Sequence, residues 1–191
     1  MYSWAILVDS RNVDGAQLTV KNMSHAIMAC CHRHSKNWQE VDTDKVEGLF
    51  RTAEATTHQL NLSGAHLNPD AGVLLGNLLE GSHLTHINLA KNQLGDEGCV
   101  GLVTGGHLTE NFFLHRLVLS ENTIGDAGVS ALVDALVPNR HLKEVDLYRN
   151  AITPKGAVCI ARLLRYTHHL ESLLLGSNQI GDVRSAVFLL L

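Results

Sequence analysis

One segment recurs along this chain and constrains its fold more than any other feature. Leu84-Thr-His-Ile-Asn-Leu-Ala-Lys-Asn92-Gln-Leu94 is followed by Leu114-His-Arg-Leu-Val-Leu-Ser-Glu-Asn122-Thr-Ile124. Then come Leu142-Lys-Glu-Val-Asp-Leu-Tyr-Arg-Asn150-Ala-Ile152 and Leu170-Glu-Ser-Leu-Leu-Leu-Gly-Ser-Asn178-Gln-Ile180. A weaker copy runs from Thr57 to Leu67. The starts at 57, 84, 114, 142 and 170 are spaced by 27, 30, 28 and 28 residues. A fixed period of this length marks a repeat architecture, in which each unit buries its apolar face only against its neighbours.

The shared pattern is L-x-x-L-x-L-x-x-N-x-I/L. Its middle alternates apolar and polar, the period of a half-buried strand. Ile87 and Leu89, Leu117 and Leu119, Val145 and Leu147, and Leu173 and Leu175 are expected to point inward. After each strand comes a helix start. Gly95-Asp-Glu-Gly98, Gly125-Asp-Ala-Gly128 and Gly181-Asp182 put an acid in the first turn, where the helix dipole favours it. Thr153-Pro154 supplies an N-cap followed by proline at the first helical position, and Asn68-Pro69 does so in the weak copy. Apolar spacing then continues at Val129, Leu132 and Leu136, and at Ile160, Leu163 and Leu164.

Residues 57–191 resemble leucine-rich repeats of the ribonuclease-inhibitor type, as found in NOD-like receptors and in the GTPase-activating protein for Ran. The resemblance implies an α/β solenoid: a right-handed β-α superhelix with a parallel sheet on its concave face and helices on its convex face. Residues 1–56 read as a degenerate repeat and cap. They hold a strand near Trp4–Val8, a helix from Asn22 to His32 and a second from Asp44 to about Ala55. The other end, Asp182 to Leu191, finishes on apolar residues. That end reads as a fragment or alternative product of a longer array; the rival reading is a surface for self-association.

Asn92, Asn122, Asn150 and Asn178 are expected to be structural, each amide satisfying backbone groups at the turn. Cys99 and Cys159 fall near apolar helix faces and fill core space. Cys30-Cys31-His32-Arg33-His34 offers four potential zinc ligands, but adjacent ligands on a helix diverge by about 100° and no metal is expected there. His83, His141 and His169 each precede a strand, with Phe113 in the remaining unit. A pH-sensitive rim and simple turn packing are the two readings.

The chain is 45% hydrophobic and 18% charged, which is enough to bury a core. A net charge of −4, with scattered basic residues, gives no reason to expect nucleic acid or an anionic membrane. No segment has the shape of a signal peptide or a membrane span. Two of the four cysteines are adjacent and two lie in helices, which favours a reducing compartment, cytoplasm first and nucleus as the alternative. No nucleotide-binding, zinc-protease or serine-hydrolase motif is present, so neither cofactor nor catalysis is expected.

What remains is surface. Outward strand positions stack in columns, one unit every 5 Å or about that. One column reads His58, Thr85, His115, Lys143, Glu171; the next Gln59, His86, Arg116, Glu144, Ser172. The third reads Asn61, Asn88, Val118, Asp146, Leu174, and the fourth Ser63, Ala90, Ser120, Tyr148, Gly176. Lys91, Glu121, Arg149 and Ser177 lie just beyond. Arg116–Glu144, Lys143–Glu171 and Lys91–Glu121–Arg149 bring opposite charges together. These are self-compensating surface pairs, or a docking face for a protein partner formed by Arg116, Glu121, Lys143, Glu144, Asp146, Tyr148 and Arg149. The expected function is a non-enzymatic interaction module or scaffold. The alternatives are a GTPase-activating regulator of a small GTPase and the sensor fragment of a NOD-like receptor.

Overall fold

A computed structural model describes residues 58–181. The strand and helices expected before Thr57, the Cys30–His34 cluster and the apolar end from Asp182 to Leu191 lie outside these residues.

Five short strands alternate with helices. They are β1 (Gln59–Asn61), β2 (His86–Asn88), β3 (Arg116–Val118), β4 (Glu144–Asp146) and β5 (Ser172–Leu174). The helices are α1 (Ala71–Leu78), α2 (Gly95–Val103), a short α3 (His107–Glu110), α4 (Asp126–Leu136) and α5 (Pro154–Tyr166). The strands form one parallel sheet in sequence order, and every unit pairs with the next at the register the repeats dictate. Leu60 lies against Ile87, Ile87 against Leu117, Leu117 against Val145 and Val145 against Leu173. This is the α/β leucine-rich-repeat solenoid that the motif implies.

The core sits between sheet and helices and is almost wholly aliphatic. Leu60, Leu62, Ile87, Leu89, Leu117, Leu119, Val145 and Leu147 are all buried. Leu173 and Leu175 pack on the same core but are only partly buried. From the helices, Val129, Leu132 and Leu136 and then Ile160 and Leu163 close it. Leu164 does not join them: it is 52% exposed, because one residue beyond Leu163 turns it about 100° away from the core stripe. The first two helices approach closely through glycine. A Cβ on Gly72 would sit 2.1 Å from the Gly98 carbonyl oxygen, so a side chain there must push the helices apart.

The asparagines form a ladder that ties each unit to the one before. Asn122 Nδ2 donates to the carbonyls of Leu89, Leu119 and Ser120 at 2.8, 3.1 and 3.1 Å. Its Oδ1 accepts from Leu94 N at 3.4 Å. Asn92, Asn150 and Asn178 repeat the arrangement one unit apart. A second ladder, not expected from the motif, lies at the opposite end of the strands. Asn111 Nδ2 donates to the carbonyls of Leu79 and Ser82, while its Oδ1 accepts from Phe113 N and Leu114 N. Asn139 does the same one unit later, donating to Leu108 and Asn111 and accepting from His141 and Leu142.

The helix starts match expectation except at α1: Asp96 and Asp126 do fall in the first turns of α2 and α4. Thr153 does cap α5, accepting from Lys155 N at 3.3 Å, with proline at the first turn. Asn68-Pro69 does not cap α1, which begins only at Ala71 after a tight turn; Asn68 Oδ1 is left without a hydrogen-bond partner. The acids reach past their own helices. Asp96 Oδ1 accepts from Gly125 N at 2.6 Å and Gly128 N at 3.0 Å, at the start of the next helix. Asp126 repeats this on Thr153 N, Thr153 Oγ1 and Gly156 N. Each carboxylate therefore satisfies amides that the following helix would leave open.

Candidate functional site: the outward strand face

The parallel register turns the outward columns into a continuous surface. His86, Arg116, Glu144 and Ser172 are direct cross-strand neighbours, as are Asn88, Val118, Asp146 and Leu174. Arg116 Nε lies 3.2 Å from Glu144, and Lys143 Nζ lies 2.8 Å from Glu171. Arg149 reaches Glu121 at 3.6 Å. The structure thus brings six charged residues into three pairs. Among the described residues, no ion pair joins Lys91 to Glu121, so the expected three-residue line is a two-residue pair. Arg149 has taken the carboxylate that Lys91 would share.

Glu121 and Arg149 occupy equivalent turn positions with left-handed backbone, φ 56° and 53°, as do Lys91 and Ser177. Such residues carry a strain of order 1 kcal/mol that the surroundings must offset. The offset is visible: the amide of each of the first three donates to a carbonyl of the following unit, Lys91 to Ser120, Glu121 to Tyr148 and Arg149 to Gly176. The side chains on this edge are thereby held at fixed origins.

Tyr148 and Asp146 complete the expected set. Asp146 Oδ1 accepts from Tyr148 N at 2.8 Å, the same turn that Asn61 makes to Ser63 and Asn88 to Ala90. One carboxylate oxygen is therefore occupied by its own turn. The Tyr148 ring lies across the next unit, where a Cβ on Gly176 would be only 3.1 Å from Cδ2. Tyr148 remains 39% exposed, with the Arg149 guanidinium 6.0 Å from its ring centre. All seven expected site residues fall on this one face and its edge.

The titratable groups elsewhere are explained by structure. Burial, helped by Asp96, pushes the Cys99 thiol up to about 12 and makes it inert. Cys159 is half-buried. Partial burial would raise Asp126, but the Thr153 hydroxyl, the Thr153 and Gly156 amides and Lys155 outweigh it and hold its carboxyl low. Burial, then Arg140, His141 and His168, pushes His169 down and favours its neutral ring. Among the described residues no group of three or more His, Cys, Asp or Glu is placed to hold a metal ion. No helix among them is long and apolar enough to cross a membrane.

The rim is where sequence reasoning fell short. The unit that begins at Leu84 is the longest, and its extra length forms the left-handed Gly105-Gly106 turn and α3. Behind it the His83 and Phe113 rings pack at 4.4 Å and the Phe112 and His141 rings at 5.2 Å. Only the 30-residue spacing signalled this insertion in the sequence.

Comparison with known proteins supports the architecture. The family model described as Leucine Rich repeat matches residues 82–103, 110–133, 139–161 and 166–183, which are the four firm units. Among solved structures, one described as Leiomodin-1 Actin-Binding Site 2 aligns with TM-score 0.62 and 20% identity. The alignment covers 78% of this chain and 87% of that one. The tropomodulin C-terminal domain of Caenorhabditis elegans aligns at TM-score 0.46 and 10% identity, over 78% of this chain and 73% of that one. A search of curated proteins finds no match.

Proposed function

Taking the chain as the leucine-rich-repeat protein that its four matched units and stacked sheet make it, we propose that it is a non-enzymatic interaction module. Its outward strand face docks a protein partner. The observation that carries this reading is the in-register face itself. Arg116, Lys143, Glu144, Asp146, Tyr148 and Arg149, with Glu121 at the edge, lie side by side on the parallel sheet and its flanking turns. Aromatic and arginine side chains are the usual energetic anchors of interfaces. Preformed ion pairs keep the charged side chains ordered, which lowers the entropy lost on docking. Fold alone does not choose a partner. Actin, named in the description of the leiomodin-1 structure, is the first candidate to test.

Affinity capture from cell extract, quantified by mass spectrometry, tests the face. A partner held by the wild-type chain and lost from a Tyr148→Ala/Arg149→Ala variant is expected. Equal recovery of every partner by both chains overturns the assignment.

A further inference from the structure

The rim beside α3 differs in kind from the strand face. A cavity of about 470 Å³ opens there, lined among others by Leu79, Glu80, His107, Glu110, Phe112 and Phe113. Its size is in the range of sites that take a few side chains. Phe112 is 66% exposed and Phe113 42% exposed. The sequence has only four phenylalanines, and a large ring left in water is informative in a way that a lone surface valine is not. The second asparagine ladder holds this wall in place, since Asn111 accepts from Phe113 N at 2.9 Å and anchors to Leu79 and Ser82.

Charge selects the occupant. The cavity's two formally charged lining groups are carboxylates, Glu80 and Glu110, both exposed. Neither is in an ion pair among the described residues, unlike the paired acids on the strand face. We propose that this rim cavity binds a cationic peptide segment of a partner protein. An apolar side chain of that segment would seat on Phe112 and Phe113, with lysine or arginine beside Glu80 and Glu110. A second copy of this chain is a poor occupant, because the protein is net −4 and its basic residues form no run. This site is separate from the strand face, and either can fail without the other.

The test is fluorescence anisotropy with two labelled hexapeptides, Gly-Leu-Phe-Lys-Arg-Lys and Gly-Leu-Phe-Glu-Asp-Glu. The basic peptide is expected to bind about tenfold more tightly at low salt, and the advantage to shrink as salt screens the carboxylates. Glu80→Gln with Glu110→Gln, both on exposed side chains, is expected to erase the preference. Phe112→Ala is expected to weaken the basic peptide several-fold. Equal affinity for the two peptides, or a preference untouched by the double substitution, overturns the proposal. So does concentration-dependent dimerisation abolished by Phe112→Ala, which would put a second copy in the cavity.

Discussion

The strand face and the rim beside α3 handle charge in opposite ways. On the face, Arg116, Lys143 and Arg149 each meet a carboxylate on the neighbouring unit. On the rim, Glu80 and Glu110 line a cavity next to two exposed phenylalanines. A surface laid out by the repeat period can balance its own charges, because equivalent positions lie about 5 Å apart in every unit. On the rim the equivalent positions four residues before Leu84 and Leu114 are both acids, so neighbouring units repeat one sign of charge there instead of pairing opposite signs.

The two surfaces rest on two ladders, and breaking either one gives the largest effects. Asn122→Ala is expected to cost about 3 kcal/mol in chemical denaturation, since it removes three buried hydrogen bonds to carbonyls of two units and the acceptor for the Leu94 amide. Asn139→Ala, under the rim end, should cost about 2 kcal/mol. A loss below about 0.5 kcal/mol for either would show that its ladder does not hold the stack.

Asp126→Ala removes the acceptor for the start of α5 and is expected to cost about 1 kcal/mol, read by the same denaturation. The sign with pH follows from its lowered folded value. The contribution is fully present above the ordinary carboxylate value of 3.8 and is lost as pH falls through the lower folded value. Acid titration of the wild type and of Asp126→Asn should therefore run at a constant offset above that acid window and converge within it. Gly106 has φ 79° and open space where a Cβ would sit, so Gly106→Ala adds backbone strain alone, about 1 kcal/mol. That loss should leave the strand face untouched. Smallest of all, a double-mutant cycle on Arg116 and Glu144 should give a coupling below about 1 kcal/mol, shrinking with salt, because both side chains are half exposed. A larger value would make the pair a stability element rather than a docking element.

Most of the solenoid is legible in the sequence because it depends on local rules repeated in register. The L-x-L alternation places Ile87, Leu117 and Val145 inward, and the common spacing puts Arg116 beside Glu144. The asparagine ladder follows from the need to satisfy turn carbonyls. What escapes lies between units or outside the period. The first-turn positions of Asp96 and Asp126 suggest acids serving their own helices, yet their hydrogen bonds go to the next helix, a contact that only the stacking distance creates. Asn111 and Asn139 stand where the other units have different residues, so no column announces them. The two- to three-residue excess of one unit gives no hint that it forms α3 and exposes Phe112. Spacing places Leu164 inward, but the core stripe of α5 is too narrow to include it.

The central claim is that the strand face is the docking surface. Carbodiimide footprinting of the carboxylates, in the free chain and in the captured complex, tests it most directly. Labelling of Glu144, Asp146 and Glu171 should fall several-fold in the complex, while Asp134 on the helical side stays unchanged. Undiminished labelling of all three face carboxylates in a stable complex would contradict the account.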